Sequence, residues 1–95
     1  MAAYILVDCK VTDAVKYEDY KRLAQACVQA NGGKYLVRGA KAEVLEGGWL
    51  PNRVVVMEFP TLERARKFHD SADYVAARAA RAGAAQMNMV LVEGT

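Results

Sequence analysis

The sequence predicts an α+β fold of order β-α-β-β-α-β, a four-stranded antiparallel sheet with its helices on one face. Three observations carry this. Apolar residues alternate with period two over Tyr4–Val11, Lys34–Arg38, Arg53–Phe59 and Met87–Glu93. They recur at three- and four-residue steps after the first and third of these stretches. Two split strand–helix–strand crossovers of the usual hand then place both helical segments on the same side of one sheet.

In the first strand Ile5, Val7, Cys9 and Val11 form one apolar face, while Tyr4, Leu6, Asp8 and Lys10 form a face that turns from apolar to charged. Thr12 or Asp13 can cap the following helix by accepting from its free first-turn amides. Tyr17, Tyr20, Ala24, Cys27 and Val28 make its buried stripe, and Glu18 and Arg22 are spaced for an i,i+4 ion pair. Asn31-Gly32-Gly33 ends that helix. The second strand presents Tyr35 and Val37 on one face and Leu36 and Arg38 on the other. Gly39 permits a bend or bulge before a short strand over Glu43–Glu46 and a Gly47-Gly48 turn. Val55, Met57 and Phe59 oppose Val54, Val56 and Glu58 on the third main strand, which Pro60 stops. Thr61 caps a helix with Leu62, Ala65 and Phe68 inward, and Ser71 caps an alanine-rich piece from Ala72 to Ala82, closed by Gly83. The last strand divides Met87, Met89 and Leu91 from Asn88, Val90 and Val92. This order is the ferredoxin-like arrangement.

Ninety-five residues make one domain, residues 1–95, with a thin core. Helices on one face leave Leu6, Leu36, Val54 and Val56 on the other, with either Val90 and Val92 or Met89 and Leu91. Each such group left in water costs about 1.5–3 kcal/mol, so a homodimer packed through this sheet face is expected. A net charge of +2 is too small to argue for nucleic acid or an anionic membrane. An RNA-binding sheet of this type also needs exposed aromatics on its central strands, where this chain has Leu6, Val54 and Val56. No apolar run approaches the roughly 20 residues of a membrane span. The start of the chain lacks the charged-then-apolar pattern of a leader, which points to the cytoplasm. Cys9 and Cys27 fall on apolar faces without metal-ligand spacing, so buried free thiols are expected, and neither a metal nor a cofactor.

Asp8, Arg38 and Glu58 are charges within apolar strands, and strand parity allows all three to share the face opposite the helices. A buried ion costs several kcal/mol unless paired. Arg38 is therefore expected to pair with Glu58 or Asp8, or to offer its fork to an anionic ligand. Tyr17, Tyr20, Trp49 and Tyr74 either fill the core or line a pocket with their hydroxyls and indole. Trp49, in a Gly-Gly…Pro loop, suits a partner contact or a pocket lid. His69, the only histidine, is a surface or pocket-rim residue, a general base or a haem ligand. Ser71 reads as a helix cap without a companion base.

Several fragments occur together: Tyr17-x-x-Tyr20, Gly32-Gly33-x-Tyr35-Leu36-Val37-Arg38-Gly39, Glu46-Gly47, Trp49, Pro51-x-Arg53 and Glu58-Phe59-Pro60, then Asp70-Ser71-x-x-Tyr74 and Arg78. The combination resembles the bacterial family known as domain of unknown function thirteen-thirty, of the dimeric α/β-barrel superfamily. The resemblance implies the ferredoxin-like fold, a homodimer whose two sheets form a barrel, and no particular activity. The superfamily includes cofactor-independent monooxygenases, haem-degrading enzymes, lactone isomerases and ligand-sensing domains. By that analogy a pocket lies between sheet and helices or at the dimer interface. His69 stands where relatives usually have another aromatic, and Ala72-Asp73 replaces their more usual Pro-Glu. The ligand-binding candidates are thus Tyr20, Arg38, Trp49, Arg53, Glu58, His69, Ser71, Tyr74 and Arg78. The expected function is small-molecule binding or sensing by a homodimer. The alternative is a cofactor-independent, monooxygenase- or isomerase-like enzyme for a small hydrophobic or aromatic, and in one version anionic, substrate.

Overall fold

A computed structural model describes all residues, Met1–Thr95. Its elements are β1 (Ala3–Val11), α1 (Ala14–Ala30), β2 (Lys34–Arg38), β3 (Arg53–Phe59), α2 (Leu62–Asp70), α3 (Ala72–Ala80) and β4 (Ala85–Glu93). All pairings are antiparallel and the sheet order is β2-β3-β1-β4, which is ferredoxin-like. Dimensions of 35 × 32 × 16 Å fit one sheet carrying one layer of helices.

Local chemistry sets the helix starts. Asp13, rather than Thr12, caps α1 by accepting from the Lys16 amide at 3.1 Å, while the Thr12 amide donates to the Ala84 carbonyl. Thr61 caps α2 by accepting from Arg64, and Ser71 caps α3 by accepting from Tyr74. On α1 the ion pairs are i,i+3, Lys21 with Glu18 and Arg22 with Asp19. The expected Glu18–Arg22 pair is therefore replaced, each member having a nearer partner one turn position away.

The inner face of the sheet gives Ile5, Val7, Cys9, Val55, Met57 and Phe59 to the core. From the helices come Tyr17, Tyr20, Ala24, Cys27, Val28, Ala65, Phe68, Tyr74 and Ala77. Both cysteines are buried and free. A Cβ on Gly33 would lie 2.5 Å from the Phe59 ring, so only glycine lets the chain pass over that ring.

On the outer face cross-strand rows run Lys34–Glu58–Tyr4–Val92 and Val37–Val56–Leu6–Val90. Of the two possibilities for β4, Val90 and Val92 are the exposed pair, while Met89 and Leu91 pack on the core.

Two expectations fail here. The strand over Glu43–Glu46 is absent; residues 40–52 form an irregular, almost wholly exposed arm. That segment pairs with no strand, although β2, bonded to β3 on one side only, leaves its outer edge free. The parity of β2 also breaks. Its register shifts between Tyr35 and Val37, so Tyr35 opposes Met57, Val37 opposes Val56 and Arg38 opposes Val55. This bulge at Leu36 turns Arg38 to the inner face beside Tyr35, away from Asp8 and Glu58.

Candidate functional site

The bulge and Arg53 bring two guanidinium groups to one place. Arg53 faces inward as the register partner of Cys9. Gly39, at φ +75°, passes directly over it: a Cβ there would lie 2.6 Å from the guanidinium. Arg38 stacks its guanidinium 4.2 Å from the Tyr35 ring centre and donates to Gln25 Oε1 at 3.0 Å. The predicted Arg38 pair with Glu58 or Asp8 does not form: Glu58 binds Lys34 at 3.3 Å, and Asp8 is occupied by the arm.

Between α1 and the inner face lies a cleft lined by Tyr17, Tyr20, Lys21, Tyr35, Arg38 and Arg53 over a floor that includes Met87 and Met89. Its volume is about 30 Å³, room for one or two waters. No carboxylate lines it. Lys21 is engaged from outside by Glu18 at 2.8 Å, but Arg38 and Arg53 take part in no ion pair. Arg53 Nε is buried without a hydrogen-bond partner. A desolvated, unpartnered donor of this kind is costly unless something accepts from it.

At the inner end the hydroxyls of Tyr20 and Tyr74 are 2.6 Å apart. Sulfur atoms stand next to them, Met87 Sδ 4.0 Å from Tyr20 and Met89 Sδ 3.8 Å from Tyr74. Arg81 lies 5.0 Å from the Tyr20 ring centre and Arg78 5.5 Å from that of Tyr74. Burial pushes both hydroxyls above the ordinary phenol value despite these cations, and it does the same to Tyr17, helped by the Cys9 thiol bonded to it. All three are therefore neutral donors at physiological pH.

The remaining candidates lie elsewhere. His69 lines a second cavity of about 200 Å³ between α2 and β4, with Arg66, Asp70, Ile5, Met89 and Leu91. Its Nε2 is 3.5 Å from Arg78 Nη1 and its Nδ1 3.5 Å from Asp70. Ser71 is spent as a cap, its hydroxyl donating to the Phe68 carbonyl while accepting from Tyr74. Trp49 is on the outer side: its Nε1 donates to Asp8 Oδ2 at 2.9 Å, and the Asn52 amide donates to Asp8 Oδ1 at 2.9 Å. These bonds, that from Trp49 first, hold the Asp8 carboxyl below the usual range. The nine candidates thus separate into the cleft (Tyr20, Arg38, Arg53, with Tyr74 behind), the α2–α3 corner (His69, Ser71, Arg78) and the outer face (Trp49, Glu58). Sequence reasoning missed Lys21, Tyr35 and Arg81. Spacing signals existed for two of them, since Lys21 follows Tyr17 by four residues and Arg81 follows Tyr74 by seven, each on the same helical stripe.

Structures similar to this one show the same fold at low identity. The RPA0582 protein of Rhodopseudomonas palustris, described as of unknown function, superimposes with a TM-score of 0.77 at 18% identity over 99% of this chain and 82% of that one. SnoaB of Streptomyces nogalater, described as a cofactor-independent oxygenase, does so at 0.67 and 10% identity, over 99% and 93% of the two chains. A dimeric ferredoxin-like protein of unknown function from Thermobifida fusca does so at 0.55 and 14%, over 99% and 92%. No curated protein matches the sequence. The family model for Domain of unknown function (DUF1330) matches residues 2–95. With that match spanning all but the first residue, the chain belongs to the DUF1330 family.

Proposed function

We propose that the protein is a homodimeric binder of small apolar or aromatic anions, held in the cleft between α1 and the sheet. One observation carries the reading: Arg38 and Arg53 stand free of any carboxylate at the mouth of a tyrosine-lined apolar cleft. Guanidinium forks suit carboxylates and phosphates, and partial desolvation strengthens the bond. The cleft is narrow, so a ligand enters as the long, flexible side chains of Arg38 and Lys21 swing outward; Arg38 is already exposed and held only by Gln25 and Tyr35. In this reading two copies meet through their outer faces, covering Leu6, Val37, Val90 and Val92. The description of the Thermobifida protein as dimeric supports a dimer of this fold, without saying which face it uses.

A catalytic version would use the same cleft, and the description of SnoaB as an oxygenase favours it. Against it, the groups in the cleft that could take a proton are tyrosines whose burial keeps them protonated, and His69 lies in the other cavity. Binding without proton abstraction is the better supported of the two.

Calorimetric titration with benzoate and benzamide tests the proposal. Benzoate should bind about tenfold or more tightly, the worth of a charge-assisted bond, and Arg53→Gln should remove the difference. Equal binding of the two, or of neither, contradicts it.

A further inference from the structure

The tyrosine pair at the inner end of the cleft has one hydroxyl hydrogen more than it has oxygen partners. Two facing hydroxyls use one hydrogen between them, across 2.6 Å. The other hydrogen finds only a thioether sulfur, Met87 Sδ at 4.0 Å from Tyr20 or Met89 Sδ at 3.8 Å from Tyr74. A thioether is a weak acceptor, and a buried donor left with one retains most of its unmet bonding capacity. The two hydroxyls are not equivalent. Tyr20 lines the cleft and Tyr74 does not. Tyr74 is fully buried and packed against Phe68, with ring centres 4.4 Å apart, so its hydroxyl is a fixed neighbour that orients the Tyr20 oxygen. When Tyr74 donates to Tyr20, the Tyr20 hydrogen is left for whatever occupies the cleft.

We infer that Tyr20 selects, among the anions the cleft takes, those with a second, uncharged oxygen acceptor such as a ketone, ester or amide carbonyl. That acceptor lies at the end remote from the charge, and Tyr74 acts as the positioning residue for Tyr20. The inference rests on the anion-binding reading of Arg38 and Arg53 given above. It makes the cleft a two-point reader, with guanidinium groups at the mouth and a neutral donor inside. The two points are chemically distinct: a guanidinium prefers a charged acceptor, whereas a phenol whose burial keeps it protonated offers a single hydrogen. An apolar group of the same shape at the inner end would leave the Tyr20 hydrogen on sulfur and forgo the bond.

Two near-isosteric probes separate these terms, 4-acetylbenzoate and 4-isopropylbenzoate, titrated calorimetrically into the intact protein. The wild type should bind the acetyl compound about tenfold more tightly, the upper end of a neutral hydrogen bond's net worth. Tyr20→Phe should bring the two affinities together, the acetyl compound losing its advantage over the isopropyl one. Tyr74→Phe should narrow the ratio without abolishing it, a change that simple loss of packing would not produce. The wild-type ratio needs no variant, so the inference stays testable if Tyr20→Phe does not fold. Equal binding of both probes to the wild type, or a preference that survives Tyr20→Phe, overturns the role of Tyr20 and leaves the anion site standing. Failure of both probes to bind overturns the anion site and this inference with it.

Discussion

The inner and outer faces of this sheet are built from the same four strands, one residue out of step. On the inner face Ile5, Val7, Met57 and Phe59 are sealed beneath the chain's own helices. On the outer face Leu6, Val37, Val90 and Val92 remain open, and the arm of residues 40–52 adds Leu45, 93% exposed, and Trp49, 66% exposed. The charges invert the pattern. The outer carboxylates Asp8 and Glu58 each have partners, whereas the inner guanidinium groups of Arg38 and Arg53 have no counter-charge. One face therefore has its polar groups satisfied and lacks apolar cover, and the other has the cover and lacks an anion. The proposed second copy would meet the first deficit and the proposed ligand the second.

Breaking the inner face should have the largest effect. Phe59→Ala empties a fully buried site against Phe68 and should cost about 3–5 kcal/mol in urea unfolding. A loss of that size takes most of the stability of a small domain. Breaking the outer face should instead change assembly. Val56→Arg, in the row Val37–Val56–Leu6–Val90, should halve the mass by light scattering while far-UV circular dichroism is retained; an unchanged mass removes the outer face from the dimer. Gly33→Ala tests the close approach to Phe59 and should cost about 1–3 kcal/mol.

The smallest effect concerns the arm. The Trp49 and Asn52 bonds depress the Asp8 carboxyl. The tether they form is complete above the ordinary carboxyl value of about 3.9 and is lost as pH falls through the lowered folded value. Trp49 is the single tryptophan, so its emission should shift in that acid range, and Asp8→Ala should already show the shifted emission at neutral pH.

Most of the fold was legible because period-two and helical patterns, with caps at Asp13, Thr61 and Ser71, agree along the chain. The misplacement of Arg38 has one cause. Parity counts assume an unbroken ladder, and a bulge at Leu36 is invisible to them; Gly39 signalled an irregularity nearby without giving its place. That one residue moved Arg38 across the sheet, dissolving the expected pair with Glu58 and creating the cleft's pair with Arg53. Glu43–Glu46 reads as a short strand ahead of the Gly47-Gly48 turn, yet a strand also needs a partner to pair with, which a local pattern cannot supply. Arg53 was identified as a candidate, but its lack of a counter-charge depends on what the helices bring beside it. Lys21 and Arg81 stand four and seven residues after Tyr17 and Tyr74, where hydrophobic periodicity does not single out a charge.

The proposed anion site is the inner cleft. A crystal structure of the protein soaked with benzoate tests it most directly. The carboxylate should lie against the guanidinium groups of Arg38 and Arg53, its ring among Tyr17, Tyr20 and Tyr35, with Arg38 swung away from Gln25. Benzoate bound only at the His69 cavity or the outer face, with the Arg38–Gln25 bond intact, would contradict it.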